Sequence, residues 1–152
     1  MSQFQSTHKW DARSLAQLET LVPNLRVIMT DALRLSDVPF QLVQGARTIE
    51  QQREYFRAGK SKINPDAYPD KAAFYRAAKH VVGPGEPLAR AVDIIIAPPA
   101  QKYDVNHLCH VAGVVMTVAR IHEVRLRWGG NFNRDAQILE QDFDDLPHFE
   151  ID

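Results

Sequence analysis

The sequence predicts an α+β fold, a single small domain in which helices pack on a short, mainly antiparallel sheet. Helical apolar stripes fill the first part of the chain, through Leu33. Short runs with strand character then appear at Phe40–Val43, Ala91–Ala97 and Val124–Trp128, scattered among further helical segments. Helices first and strands dispersed is the α+β pattern. The 152 residues suffice for one domain with one sizeable core, so the whole chain, 1–152, is expected to be one unit.

Residues Met1 to Trp10 read as a loose lead-in. Asp11 or Ser14 can cap a first helix, with Leu15, Leu18 and Leu21 on one apolar face. Pro23 suits the first turn of a second helix, whose stripe runs through Leu25, Ile28, Met29, Ala32 and Leu33 and ends at Asp37 to Pro39. Thr48 can cap a polar helix through Ala58, stopped by Gly59. Lys60 to Asp70 is loop, and Lys71 to Lys79 a short helix. VGPGEP (Val82–Pro87) must be loop. Ala91 to Ala97 reads as a buried strand closed by Pro98 and Pro99. The longest helix is expected from Asp104 to Arg120, with Leu108, Val111, Val115 and Val118 inward. Val124, Leu126 and Trp128 alternate with Arg125 and Arg127, as in a half-buried strand. Gly129 and Gly130 then open a final loop that leads to His148.

Composition narrows the function. Hydrophobic residues make up 45% and charged residues 24% of the chain, values of an ordinary globular protein. A net charge of −1 argues against charge-driven binding to nucleic acid or anionic membrane. The one cysteine, Cys109, rules out a disulfide within the chain. The N-terminus lacks the apolar core of a secretory signal, and no apolar run matches a membrane span. Synthesis in a cytoplasm, with release to any outside target by another agent, is therefore expected.

The closing stretch DDLPHFEI (Asp144–Ile151) gathers an imidazole and several carboxylates, and reads as half of a metal site. His80 and Asp93 are the candidates for the other half. Asp93 stands alone in an apolar strand, where a carboxylate is costly to bury unless paired or bound to a cation. A solvent-facing strand edge or a partner arginine would also explain it. Three N/O ligands and a water make up a catalytic zinc site. A carboxylate beside that water would serve as base, and Asp145 stands three residues before His148. A second cluster, His107, Cys109 and His110, lies near one helix face, but no other segment is in view to complete it.

Four segments, in order, resemble the M15 family of zinc peptidases, in its L-alanyl-D-glutamate endopeptidase branch with the phage endolysins. GARTIEQQREYFRAG (Gly45–Gly59) resembles the arginine motif. His80 with ARAVDII (Ala89–Ile95) resembles the His-and-Asp metal motif. RWGGNF (Arg127–Phe132) and DDLPHFEI resemble the Trp-Gly-Gly and closing motifs. The resemblance implies a Hedgehog-like peptidase fold and one zinc per chain on His80, Asp93 and His148, with Asp145 as general base. Arg47 would bind substrate or steady the oxyanion, Gln52 would support that part of the substrate site, Trp128 would line the cleft, and Glu150 would orient a ligand histidine. The implied activity is cleavage of the L-Ala–D-Glu bond of peptidoglycan stem peptides by a monomeric phage or prophage endolysin. The resemblance implies no separate wall-binding domain, no nucleic-acid partner and no membrane insertion.

Three departures stand out. His80 and Asp93 lie further apart than in the family pattern, with GPGEPL (Gly83–Leu88) between them, and Ala78 and Ala89 replace a usual serine and glycine. The inserted loop is expected beside the cleft, where trimming it would alter substrate preference. Two other readings stand alongside: a D-Ala-D-Ala carboxypeptidase or dipeptidase of the same fold, and a catalytically silent peptidoglycan-binding module. Aspartate rather than glutamate at position 145 favours the endopeptidase.

Overall fold

The computed structural model describes residues 5–152. Among these are five α-helices and one four-stranded antiparallel sheet. Helix α1 (Ala12–Leu18) is capped by Asp11, whose carboxylate accepts from Ser14 N–H at 2.7 Å. Leu15 points to solvent rather than into the core. The buried residues of this helix are Ser14 and Leu18, and Ser14 Oγ accepts from Leu42 N–H at 2.9 Å. Helix α2 (Pro23–Leu35) begins at Pro23 and buries the whole expected stripe. The lead-in is tied down from Ser6 onward: Ser6 N–H donates to Arg34 O at 2.7 Å, and Trp10 packs edge-on against Phe40. Its first four residues lie outside the described residues.

Strand β1 (Phe40–Gln44) leads into α3 (Ile49–Arg57), which carries a full capping box between Thr48 and Gln51. A cap of this kind contributes about 1 kcal/mol. A single 3-10 turn, Pro65–Ala67, sits within the following loop. Helix α4 (Lys71–Ala77) precedes β2 (Ala91–Ile96), α5 (Val105–Ile121) and β3 (Leu126–Gly129). The stretch expected as a final loop ends instead in a strand, β4 (Asp145–Ile151). It lies inside the sheet, whose order is β1-β2-β4-β3.

Helices α2 and α5 pack against each other over one face of the sheet. The core lies between, built from Ile28 and Met29 of α2, Val111 and Val115 of α5, and Val92, Ile94, Ile96 and Phe149 of the sheet. Fully burying each such side chain stabilises the fold by roughly 1.5–3 kcal/mol. Because side chains alternate across a strand, seating Val92 and Ile94 in this core sends Asp93 to the other face. Seating Phe149 does the same for His148 and Glu150.

The inserted loop does not border the cleft. Gly83, Pro84, Gly85 and Glu86 close a tight turn, with Gly83 and Glu86 exchanging both backbone hydrogen bonds at 2.9 Å. Proline second and glycine at φ 86° third is type II turn chemistry. Gly83 is packed against the Tyr75 hydroxyl. No residue between Val81 and Val92 lines the cleft that holds His80 and Asp93. A Glu86→Gln, Pro87→Ser variant should therefore keep its metal content and its rate on wall peptides within about twofold. A changed bond preference in that variant would return the loop to the substrate.

Candidate metal centre and cleft

Sheet register brings two of the three predicted ligands together. Asp93 on β2 faces His148 on β4 as a cross-strand pair. His148 Nδ1 lies 3.0 Å from Asp93 Oδ1. His80 arrives from the loop after α4, held by a short parallel bridge in which Arg47 N–H donates to His80 O at 2.8 Å and Val82 N–H to Arg47 O at 3.0 Å. His80 Nε2 stands 3.3 Å from both Asp93 Oδ1 and His148 Nδ1. Among the described residues these three form the one group able to hold a metal. The His107, Cys109 and His110 cluster does not assemble, since His107 Nδ1 is bonded to Asp104 at 2.6 Å.

The donor set fits a metal ion. Ligand atoms on a tetrahedral zinc with bonds of about 2.0–2.2 Å stand roughly 3.3 Å apart, close to the triangle seen here. The ring atoms are also correctly assigned by their outer partners. His80 Nδ1–H donates to Gly45 O at 2.7 Å, leaving Nε2 free to ligate. His148 Nε2–H donates to Glu150 Oε2 at 2.9 Å, leaving Nδ1 free. Glu150 is held in turn by the Arg127 guanidinium. It thus sits between the His148 ring and the Arg127 guanidinium.

The carboxylates around His148 favour a proton on its ring. Burial works against charge on His148, yet the hydrogen bonds its ring donates to Asp93 and Glu150 outweigh it and push its pKa up to about 9. Burial raises Glu150, but contacts with His148 and Arg127 bring it down to about 2. Burial likewise opposes ionisation of Asp93, and the two histidines hold it well below the usual carboxylate range. A metal entering this triangle must displace the His148 proton.

The cluster opens into a cleft of about 730 Å³ that Asp145 and Arg47 also line. Gly129 pairs with Asp145 across β3 and β4, and a Cβ at Gly129 would strike the Asp145 carbonyl oxygen at 1.9 Å. Gly130 must be equally bare, because a Cβ there would meet the Trp128 ring at 2.4 Å. The register slips between Trp128 and Gly129, and that irregularity accommodates Pro147 within an inner strand. Burial and then the nearby Asp93 raise the Asp145 pKa. Gly129→Ala should fold with reduced stability and lose at least about tenfold in rate, because the backbone carrying Asp145 has to shift. Thermal melting and turnover on one preparation check this, and an unchanged rate would remove Gly129 from the positioning of Asp145.

Two residues expected at the substrate site are engaged within the protein instead: Trp128 away from the cleft, Gln52 at its wall. Trp128 does not line the cleft. Its ring belongs to the main core, and its Nε1–H donates to Leu146 O at 2.8 Å, bracing the segment between Asp145 and His148. A tryptophan next to two glycines signals close packing as readily as a binding platform. Gln52 is only 1% exposed, and its amide is fully used by the protein. Its oxygen accepts from Arg47 at 2.7 Å, and its nitrogen donates to Ser61 Oγ and Ile63 O, each at 2.8 Å. Arg47 donates also to Gln44 Oε1 at 2.6 Å and rests 4.4 Å above the Tyr55 ring. Its buried Nε has no partner, and burial lowers its pKa. The motif did not foretell Phe132, which lines the cleft with its ring 5.9 Å from that of His148.

Fold and cleft together define a small α+β protein with a metal-competent His-Asp-His centre. The chain belongs to the phage L-alanyl-D-glutamate peptidase family, whose model matches residues 6–151. Among solved structures, the L-Ala D-Glu endopeptidase ChiX of Serratia marcescens is similar, with a TM-score of 0.68 at 25% identity over 96% of this chain and 92% of that one. No curated protein matches the chain. No helix among the described residues is long and apolar enough to cross a membrane.

Proposed function

We propose that this family member is a zinc-dependent endolysin of phage or prophage origin that cuts the L-Ala–D-Glu bond of peptidoglycan stem peptides. In this reading His80, Asp93 and His148 hold one zinc, and residues 1–152 act as a monomeric catalytic domain on the cell wall. The observation that carries it is the triangle of ligand atoms at 3.0–3.3 Å, with Asp145 in the same cleft.

A bound zinc supplies Lewis acidity, lowering the pKa of a water to about 7 and polarising a carbonyl. Asp145 then serves as general base. Its carboxylate takes a proton from the attacking water and passes it to the leaving amine. Burial, the largest influence on the Asp145 carboxyl, favours its holding a proton. Arg47 is positioned by Gln44 and Gln52 rather than by a carboxylate, so its charge remains available to the oxyanion that develops on the scissile carbonyl. Glu150 keeps the His148 ring turned toward the ligand set.

Zymography on purified cell wall, with and without a chelator, tests the reading. Clearing should vanish with the chelator and return with zinc. Mass spectrometry of the released fragments should show new D-glutamyl amino termini. Release of terminal D-alanine alone would favour a carboxypeptidase on the same fold, and an absence of any product would favour a silent binding module.

A further inference from the structure

The chain carries a net charge of −1, yet the wall of the cleft that follows α3 is cationic. The chain leaves helix α3 through Gly59, with φ at 71°, and the N–H groups of Lys60 and Ser61 turn back onto Tyr55 O at 2.8 and 3.2 Å. The buried Gln52 then fixes the next residues by donating to Ser61 Oγ and Ile63 O. Ile63 also packs against the small cluster around Phe74. Lys60 and Lys62 alternate with these anchored residues, are exposed, and line the cleft. The same Gln52 holds Arg47, so one buried amide orders both the arginine and the loop that bears the two lysines.

Neither lysine has a carboxylate partner among the described residues. Lys60 Nζ lies 5.8 Å from the centre of the Tyr55 ring, and Lys62 Nζ 4.8 Å from that of Phe143. A cation resting on an exposed aromatic face is readily exchanged for a carboxylate. The cleft's own acids do not supply one. Asp93 is engaged by the two histidines, Glu150 by Arg127 and His148, and Asp145 forms no ion pair with either lysine.

The substrate supplies the missing anion. A D-glutamyl residue has two carboxyl groups, and at most one continues the peptide. The other remains a free carboxylate within one residue of the scissile bond unless it is amidated. We propose that Lys60 and Lys62 form a carboxylate-reading wall that makes the enzyme select stem peptides whose D-glutamyl residue keeps this free carboxylate. The inference rests on the endopeptidase reading above. The long, flexible ammonium side chains suit a point charge that arrives in more than one pose.

Two synthetic stem peptides that differ only in this group, carboxylate against carboxamide, test the wall. The zinc-loaded wild type should favour the carboxylate by roughly tenfold or more in kcat/KM, chiefly through KM. Raising the salt concentration should narrow the gap. A Lys60→Gln, Lys62→Gln double variant should keep its zinc and its circular dichroism spectrum while the two peptides converge in kcat/KM. Equal cleavage of both peptides by the wild type overturns the carboxylate wall alone. So does a double variant that keeps the full preference. Cleavage of neither peptide by the wild type overturns the endopeptidase reading, and the wall with it.

Discussion

Asp145→Asn is expected to fold, to bind zinc as the wild type does, and to cut wall peptides about 10²–10⁴-fold more slowly. The asparagine keeps the size and shape of the side chain, so the Gly129 contact and the β4 register survive. What disappears is a carboxylate able to accept a proton. The Asp145 carboxylate makes no hydrogen bond to the ligand triangle among the described residues, so metal content should separate from rate. The neighbouring Asp144 is the control. Its Oδ1 accepts from Gln141 Nε2 at 2.7 Å, and it does not line the cleft. Asp144→Asn should run within about twofold of the wild type, as a substitution outside the cleft does. Rates for both variants on one wall preparation decide the matter. If Asp144→Asn were the inactive variant, the base would be misassigned by one position.

His148→Ala is expected to lose zinc and activity together. Removing Nδ1 leaves only His80 and Asp93 on the metal, one ligand short of the three a catalytic site uses. The sheet should persist, because the adjacent Phe149 is fully buried and keeps β4 in place. Elemental analysis after gel filtration would find about one zinc per chain in the wild type and far less in the variant. Full retention in His148→Ala would sink the ligand assignment. The wild-type site has a pH dependence of definite sign. With His148 protonated up to about pH 9 in the metal-free protein, each zinc taken up must release that proton. Apparent zinc affinity should therefore fall about tenfold for each unit of pH lost below that value. An affinity flat between about pH 6 and 8, measured by competition with a chelating dye, would contradict a protonated His148.

Local chemistry made much of this protein legible from its sequence. Asp11, Pro23, Thr48 and Asp104 mark helix starts because their interactions reach only three or four residues along the chain. The lone Asp93 among Val92, Ile94 and Ile95 marked a strand with a functional face, since alternation is a property of the strand itself. Motif order named His80, Asp93, Asp145 and His148, and the cleft gathers all four. Tertiary structure alone decided the rest. Strand β4 was hidden because its partners lie far away in sequence, Asp93 for His148 and Trp128 for Phe149, and because Pro147 argues locally against an inner strand. Only the slipped register at Gly129 makes room for it. The fates of Trp128 and Gln52 depended in the same way on distant groups: the Leu146 carbonyl for the indole, and Arg47, Ser61 and Ile63 for the amide. A side chain's type states which contacts it can make, and the long-range pairing of backbone and core determines which of them it finds.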